Sequence, residues 1–212
     1  MACSLLPSST APPTKFFPTH CHSVLSPSAR PFQPSGRRVL LVGWTPPPRG
    51  WFKLNFDGSV YHDGSGRASV GGAIRDSAGR VVLAFAQRTD HSTVEARALI
   101  RGLQHARGLR LDRVVAEGDD LVLVQLLRAE ETQTRIPVAM QYEIVDLLRS
   151  FAGGRDVRHV YREGNAVAHT LCRQAYHSPG VWLGGLLPAA VFDKAEDDRR
   201  GVVHERAVPR AA

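Results

Sequence analysis

The stretch Trp51-Phe52-Lys53-Leu54-Asn55-Phe56-Asp57-Gly58-Ser59 decides how the rest of the chain is read. Apolar Phe52, Leu54 and Phe56 alternate with polar Lys53, Asn55 and Asp57, the period of a half-buried strand that ends on a carboxylate. Asp57 is also the first acidic residue of the chain. Three later segments extend the pattern: Thr93-Val94-Glu95-Ala96, Ala116-Glu117-Gly118-Asp119-Asp120, and Arg162-Glu163-Gly164-Asn165-Ala166-Val167-Ala168-His169. A carboxylate at one strand end, one on a helix and one at a second strand end suit a two-metal, phosphodiester-cleaving site. Hard Mg²⁺ ions take oxygen ligands and keep some waters. One metal activates the attacking water and the other stabilises the leaving oxygen. The fourth segment offers a histidine.

Outward from this strand, Gly58 to Arg67 is a glycine-rich, polar loop. Val70 to Asp76 reads as a second strand, Ser77-Ala78-Gly79 as a turn and Arg80 to Ala86 as a third strand, an antiparallel meander. Ser92 or Thr93 can cap a helix running to about Arg107. Helical spacing puts Glu95, Leu99, Leu103 and Ala106 on one face of it, with Arg97, Arg101 and His105 on the other. A strand over Arg113–Gly118, helices over Asp120 to about Leu127 and Val138–Phe151, a strand over Asp156–Tyr161 and a helix from Asn165 to about Tyr176 complete the order. This predicts an α/β fold: a mixed five-stranded sheet, meander plus parallel strands, with helices on both faces.

The predicted domain spans 49–177. Before it, residues 1–48 are rich in Ser and Pro and free of acids, a composition that cannot bury enough surface to fold alone. They match an organelle transit peptide, which would send the chain to a chloroplast or mitochondrion. A plain disordered extension is the alternative, leaving the nucleus or cytoplasm. Pro46-Pro47-Pro48 reads as a stiff linker. Residues 178–212, with a charge cluster from Asp193 to Arg200, read as a loosely packed tail. No apolar run approaches the roughly 18 residues of a membrane helix. Cys3, Cys21 and Cys172 lack the spacing of a disulfide framework or zinc site, and His20-Cys21-His22 reads as part of a mobile tail.

The net charge of +7 is unevenly placed. Residues 1–56 hold six Lys or Arg and no acid, whereas 57–212 hold the other 21 basic and all 20 acidic residues. The basic excess therefore belongs to the leading segment, and the high pI is weak support for nucleic-acid binding by the folded part.

Taken singly, each candidate has a plainer reading. Asp-Gly after a strand is usually a turn, a first-turn glutamate usually complements the helix dipole, and Asp119 can be the cap of the helix that follows it. Their joint order is what carries weight. On these residues, Trp51 to about Tyr176 resembles the ribonuclease H family, specifically the plant reverse-transcriptase-like RNase H domain. Lys53-Leu54-Asn55-Phe56-Asp57-Gly58-Ser59 looks like its first strand with a metal-binding Asp, and Gly71 to Gly79 like its second strand and turn. Glu95-Ala96-Arg97-Ala98-Leu99 looks like the helix carrying its Glu, and Glu117-Gly118-Asp119 like the strand end carrying its second Asp. The lead-in from Trp44 to Trp51 is similar to what precedes the domain in mobile-element-derived copies.

The resemblance implies a metal-dependent endonuclease, monomeric, that hydrolyses the RNA strand of RNA–DNA hybrids with Mg²⁺ or Mn²⁺. Asp57, Glu95 and Asp119 would hold the metals, and His169 stands where the family's last helix carries an Asp. A histidine suits Zn²⁺ or Mn²⁺ better than Mg²⁺ and brings no negative charge, which implies a weak second metal. By position, Asn55, Ser59, Arg97, Arg101, Gln125 and Arg162 are candidates to line the nucleic-acid path. The alternative is an RNase H fold of mobile-element origin that binds nucleic acid but has lost turnover.

Overall fold

The computed structural model describes residues 37–61, 63–90, 92–130 and 134–209. In chain order the elements are β1 (Arg37–Gly43), β2 (Phe52–Val60), β3 (Ala68–Arg75), β4 (Val81–Thr89), α1 (Val94–Gly108), β5 (Arg113–Gly118), α2 (Leu121–Leu127), α3 (Val138–Arg149), β6 (Gly154–His159), α4 (Ala166–His177), β7 (Gly180–Leu183), α5 (Ala189–Arg199) and β8 (Val203–Pro209). A short 3₁₀ turn, Arg162–Asn165, leads into α4.

The main sheet has the order β6-β5-β2-β3-β4-β7. β2, β3 and β4 form the antiparallel meander, while β5 pairs parallel to β2 and β6 parallel to β5. The register sets Asn55 beside Glu117, so the chain leaves β2 and β5 at the same end of the sheet. Asp57 and Asp119 follow those positions and meet there. The α/β class and the mixed sheet hold. The predicted five strands become six, because β7 adds antiparallel to the open edge of β4.

The two faces of the sheet pack differently. On one, α1 and α3 cover Leu54, Phe56, Leu99, Leu103, Ile144 and Phe151, all at most 1% exposed. On the other, α4 and α5 cover a core of smaller residues including Ala73, Ala84, Ala86, Leu171 and Val191. The small side chains let α4 lie close to the strands. A Cβ on Gly71 would fall 2.6 Å from the Cys172 amide nitrogen.

Two expectations are corrected. β2 is not half-buried: it is central, and its polar row Lys53, Asn55 and Asp57 is 2%, 0% and 5% exposed. Lys53 is held by Glu117 at 2.6 Å and by the Thr45 carbonyl at 2.7 Å, and burial lowers its pKa. Residues 178–209 are not a loose tail either. They build β7, α5 and β8, and β8 pairs antiparallel with β1, so part of the segment read as a leader is a strand. Buried Arg75 explains the order of this region, since its guanidinium needs a counter-charge and finds Asp198 of α5 at 2.6 Å. His20-Cys21-His22 and most of the organelle-import reading lie outside the described residues. Among the described residues, no helix is long and apolar enough to cross a membrane.

Candidate metal centre

Asp57 and Gly58 lie within β2, which continues to Val60, so the Asp-Gly turn suggested by the sequence does not form. The glycine instead admits α1: a Cβ there would fall 2.5 Å from the Val94 carbonyl carbon and 2.7 Å from the Glu95 nitrogen. At this approach the Gly58 N–H donates to Glu95 Oε2 at 3.1 Å. α1 starts without the expected side-chain cap. Thr93 adopts a left-handed φ of 50°, and the Ser92 hydroxyl bonds Asp90.

The adjacent acids after β5 divide two tasks. Asp120 caps α2, accepting the Leu123 N–H at 3.0 Å, which leaves Asp119 free to face Asp57. One ligand oxygen from each of Asp57, Glu95 and Asp119 lies within 4.8 Å of the others. Burial, then the charges of Asp57, Asp119 and Asp120, push Glu95 up to about 9. Burial and Asp57 likewise raise Asp119. Three converging carboxylates, with Glu95 and Asp119 raised in proton affinity, are a set of hard oxygen donors that a divalent cation would satisfy.

α4 runs along β2 and touches it at successive positions. Asn165 donates to the Phe56 carbonyl at 2.9 Å and to Asp119 Oδ1 at 3.4 Å. His169 Nδ1 lies 3.2 Å from Asp57 Oδ2, the Cys172 thiol donates to the Asp57 carbonyl at 2.9 Å, and the Tyr176 hydroxyl reaches the Ser59 carbonyl at 3.4 Å. The face predicted from helical spacing, Asn165, His169, Cys172 and Tyr176, is therefore the one turned to the strand. Burial drives the Cys172 thiol well above its ordinary pKa, which marks it as inert. Arg162 Nη2 sits 3.0 Å from His169 Nε2. The same Arg162 nitrogen lies 3.1 Å from His169 Nδ1, so the guanidinium meets both ring nitrogens.

The residues suggested for the nucleic-acid path separate. Asn55 is fully buried behind the site and reaches no surface, because its amide is consumed by Trp44, Arg75 and Asn165. Ser59 and Arg162 line a cavity of about 500 Å³ with His169, Arg173, Tyr176 and Tyr61. Arg97 and Arg101 line a separate hollow of about 250 Å³ with Arg88, Gln104 and Glu143. Gln125 is half-buried on α2. Sequence reasoning passed over Trp44, Tyr61, Arg75, Arg173 and Asp198. Arg75, a charge closing the largely apolar run Val70 to Ile74, is the signal that a buried partner was needed.

The model of the family described as reverse transcriptase-like matches residues 55–175, more than half of the chain. The chain belongs to the reverse transcriptase-like family of RNase H domains. A relative in Arabidopsis thaliana, named a "Putative ribonuclease H protein", is 30% identical over 176 residues; the match covers 79% of this chain and 27% of that protein. The chain thus spans about a quarter of that relative. Among solved structures, RNase H1 of Halobacterium salinarum superposes with a TM-score of 0.51 at 22% identity, covering 59% of this chain and 97% of that one. The N-terminal RNase H domain of a Mycobacterium tuberculosis protein gives 0.53 at 20%, covering 60% and 94%. LC11-RNase H1, solved with an RNA/DNA hybrid, gives 0.51 at 21%, covering 58% and 95%. These likenesses establish the RNase H fold, and the family is one of nuclease hydrolases.

Proposed function

We propose that this RNase H domain hydrolyses the RNA strand of RNA–DNA hybrids. The observation that carries the reading is the convergence of Asp57 within β2, Asp119 just after β5 and Glu95 in the first turn of α1, within 4.8 Å of one another. These three carboxylates would hold Mg²⁺ or Mn²⁺, and His169 would be a weaker fourth ligand through the ring that now bonds Asp57. Bound divalent ions supply an activated water and stabilise the leaving oxygen. The chain's own residues do the rest. Gly58 N–H orients Glu95, and Asn165 orients Asp119. The cavity beside His169 carries Arg162 and Arg173, charges suited to a phosphate backbone, while Tyr61 and Tyr176 offer ring faces to a base or sugar. Among the described residues, none that lines it is acidic.

Cleavage of a labelled hybrid by the full chain with Mg²⁺ and with Mn²⁺, beside Asp57→Asn, tests the reading. Metal-dependent cutting that the variant loses is expected, with Mn²⁺ outperforming Mg²⁺. Equal cutting by Asp57→Asn would place the site elsewhere.

A second reading rests on the Asp57–His169–Arg162 chain of contacts, which already supplies Asp57 with a neighbour that is not a metal. On that reading the domain binds nucleic acid without turnover. A folded chain that binds the hybrid but cuts with neither metal would favour it.

A further inference from the structure

The two flanks of the family domain reach the carboxylates through a chain of buried side chains. Arg75 Nη1 donates to Asp198 Oδ2 at 2.6 Å and Arg75 Nη2 to Asn55 Oδ1 at 2.8 Å. Trp44 Nε1 donates to the same Asn55 oxygen at 2.9 Å, and the guanidinium lies 3.8 Å from the centroid of the Trp44 ring. Asn55 Nδ2 then donates to Asn165 Oδ1 at 3.3 Å. Asn165 Nδ2 is left to donate to the Phe56 carbonyl and to Asp119. From Asp198 to Asn165 every member is buried, from 0% exposed for Asn55 and Arg75 to 8% for Asp198, and Asp119 at the end is half-buried.

This chain has a direction. An indole N–H and a guanidinium can only donate, so the Asn55 atom that both of them meet must be the oxygen. That fixes Asn55 with its amide nitrogen toward Asn165 and, together with the Phe56 carbonyl, which can only accept, holds Asn165 with its nitrogen toward Asp119. If Asn165 were flipped, an amide oxygen would face a carboxylate, and the buried Phe56 carbonyl would lose its donor. Trp44 precedes the family match at 55–175 and Asp198 follows it, while Arg75 lies inside it, so residues from outside the matched region join Arg75 in holding this polarity.

The same flanks grip the turn that delivers Asn165. Arg206 of β8 holds both Glu163 oxygens at 2.9 Å and lies 4.5 Å from the Tyr161 ring centroid. A Cβ on Gly164 would fall 3.3 Å from the Gly43 carbonyl oxygen at the end of β1.

We infer that Trp44, Arg75 and Asp198 are positioning residues that set the amide polarity of Asn165 and so aim a donor at Asp119. The inference rests on the reading of Asp57, Glu95 and Asp119 as metal holders. It is tested in the full chain with Trp44→Phe, which removes the indole donor and keeps a ring over Arg75, and with Asp198→Glu. Leu147→Ala in α3 is the control for lost stability alone. The readouts are the side-chain amide resonances of Asn55 and Asn165 and the Asp119 carboxyl ¹³C shift in metal-free protein, together with Mn²⁺ affinity by calorimetry.

Trp44→Phe should move both amides and the Asp119 shift and weaken Mn²⁺ binding about tenfold, the low end for groups that stand behind metal ligands. The control should move neither. If Asp198→Glu does not fold, Trp44→Phe decides alone. An unmoved Asn165 amide overturns the inference, as does a moved amide with unchanged Mn²⁺ affinity. A parent chain that binds no Mn²⁺ defeats the metal reading only. The positioning role then stands if Trp44→Phe moves the Asn165 amide and Asp119 shift and falls if it does not.

Discussion

His169 Nδ1 lies 3.2 Å from Asp57 Oδ2, and one turn later Cys172 bonds the carbonyl of the same aspartate. α4 therefore addresses Asp57 twice, once at its side chain and once at its backbone. The second contact fixes the helix; the first decides what stands next to the three carboxylates. An imidazole there adds a nitrogen donor without negative charge. His169→Asp puts a fourth carboxylate beside Asp57. Its expected effect on calorimetric Mg²⁺ affinity is a gain of about tenfold, or ~1.4 kcal/mol. In metal-free protein the added like charge should lower Tm. Unchanged Mg²⁺ affinity would mean that position 169 does not face the ions.

Glu95 makes stability depend on pH and metal together. Its folded pKa of about 9 lies above the ordinary 4.5, so the folded state holds this proton more tightly than the unfolded chain. Below the ordinary value both states are protonated and folding bears no cost. As pH rises toward 9, the unfolded chain ionises first and metal-free stability falls. Asp119 is shifted in the same direction. Thermal melts at pH 5.5, 7 and 8.5 should show Tm falling with pH without metal, and a Mg²⁺-induced rise that grows with pH. Glu95→Gln should flatten the metal-free trend. A metal-free Tm independent of pH across this range would show that Glu95 is neither buried nor crowded by the neighbouring carboxylates in solution.

The elements of the family domain were legible because their signals are local. Alternation marks β2, helical spacing marks α1 and α4, and the face carrying Asn165, His169 and Cys172 follows from spacing alone. What stayed hidden depends on distant partners. Lys53 and Asn55 look like the wet side of a strand, and only the pairing of β2 with β5 and the arrival of Trp44, Thr45 and Asn165 cover them. The same is true of residues 178–209. Their order comes from β4's open edge, from β1 and from the charge of Arg75, none of which lies nearby in the sequence. Asn55 was accordingly placed on a groove that it never reaches.

Asp119 and Asp120 should respond oppositely to substitution. Asp120→Ala removes the α2 cap and is expected to cost about 1 kcal/mol in chemical denaturation. Its Mg²⁺ affinity should stay close to that of the parent. Asp119→Asn removes a charge from a crowded site, so metal-free stability should hold or rise while Mg²⁺ binding is lost. Exchanged phenotypes would mean that the two carboxylates have been assigned the wrong way round.

Gly58 carries the most demanding packing in the site. No left-handed backbone is involved; the constraint is space alone. A methyl group on Gly58 would sit 2.5 Å from the Val94 carbonyl carbon and 2.7 Å from the Glu95 nitrogen, both backbone atoms that cannot rotate away. The first turn of α1 must then lift off β2, breaking the 3.1 Å bond from Gly58 N–H to Glu95. Gly58→Ala should therefore cost ~1–3 kcal/mol, the range for overpacking a close-packed site. It should also weaken Mg²⁺ binding, since the displaced turn carries Glu95. Gly71→Ala meets the α4 backbone at a similar distance, 2.6 Å from the Cys172 nitrogen, and should destabilise comparably. Because α4 and not α1 moves in that variant, Glu95 keeps its place and its bond to Gly58. Measured side by side at matched loss of stability, Gly58→Ala should lose more Mg²⁺ affinity than Gly71→Ala. Equal losses would show that the site depends on the general integrity of the sheet and not on the approach of α1.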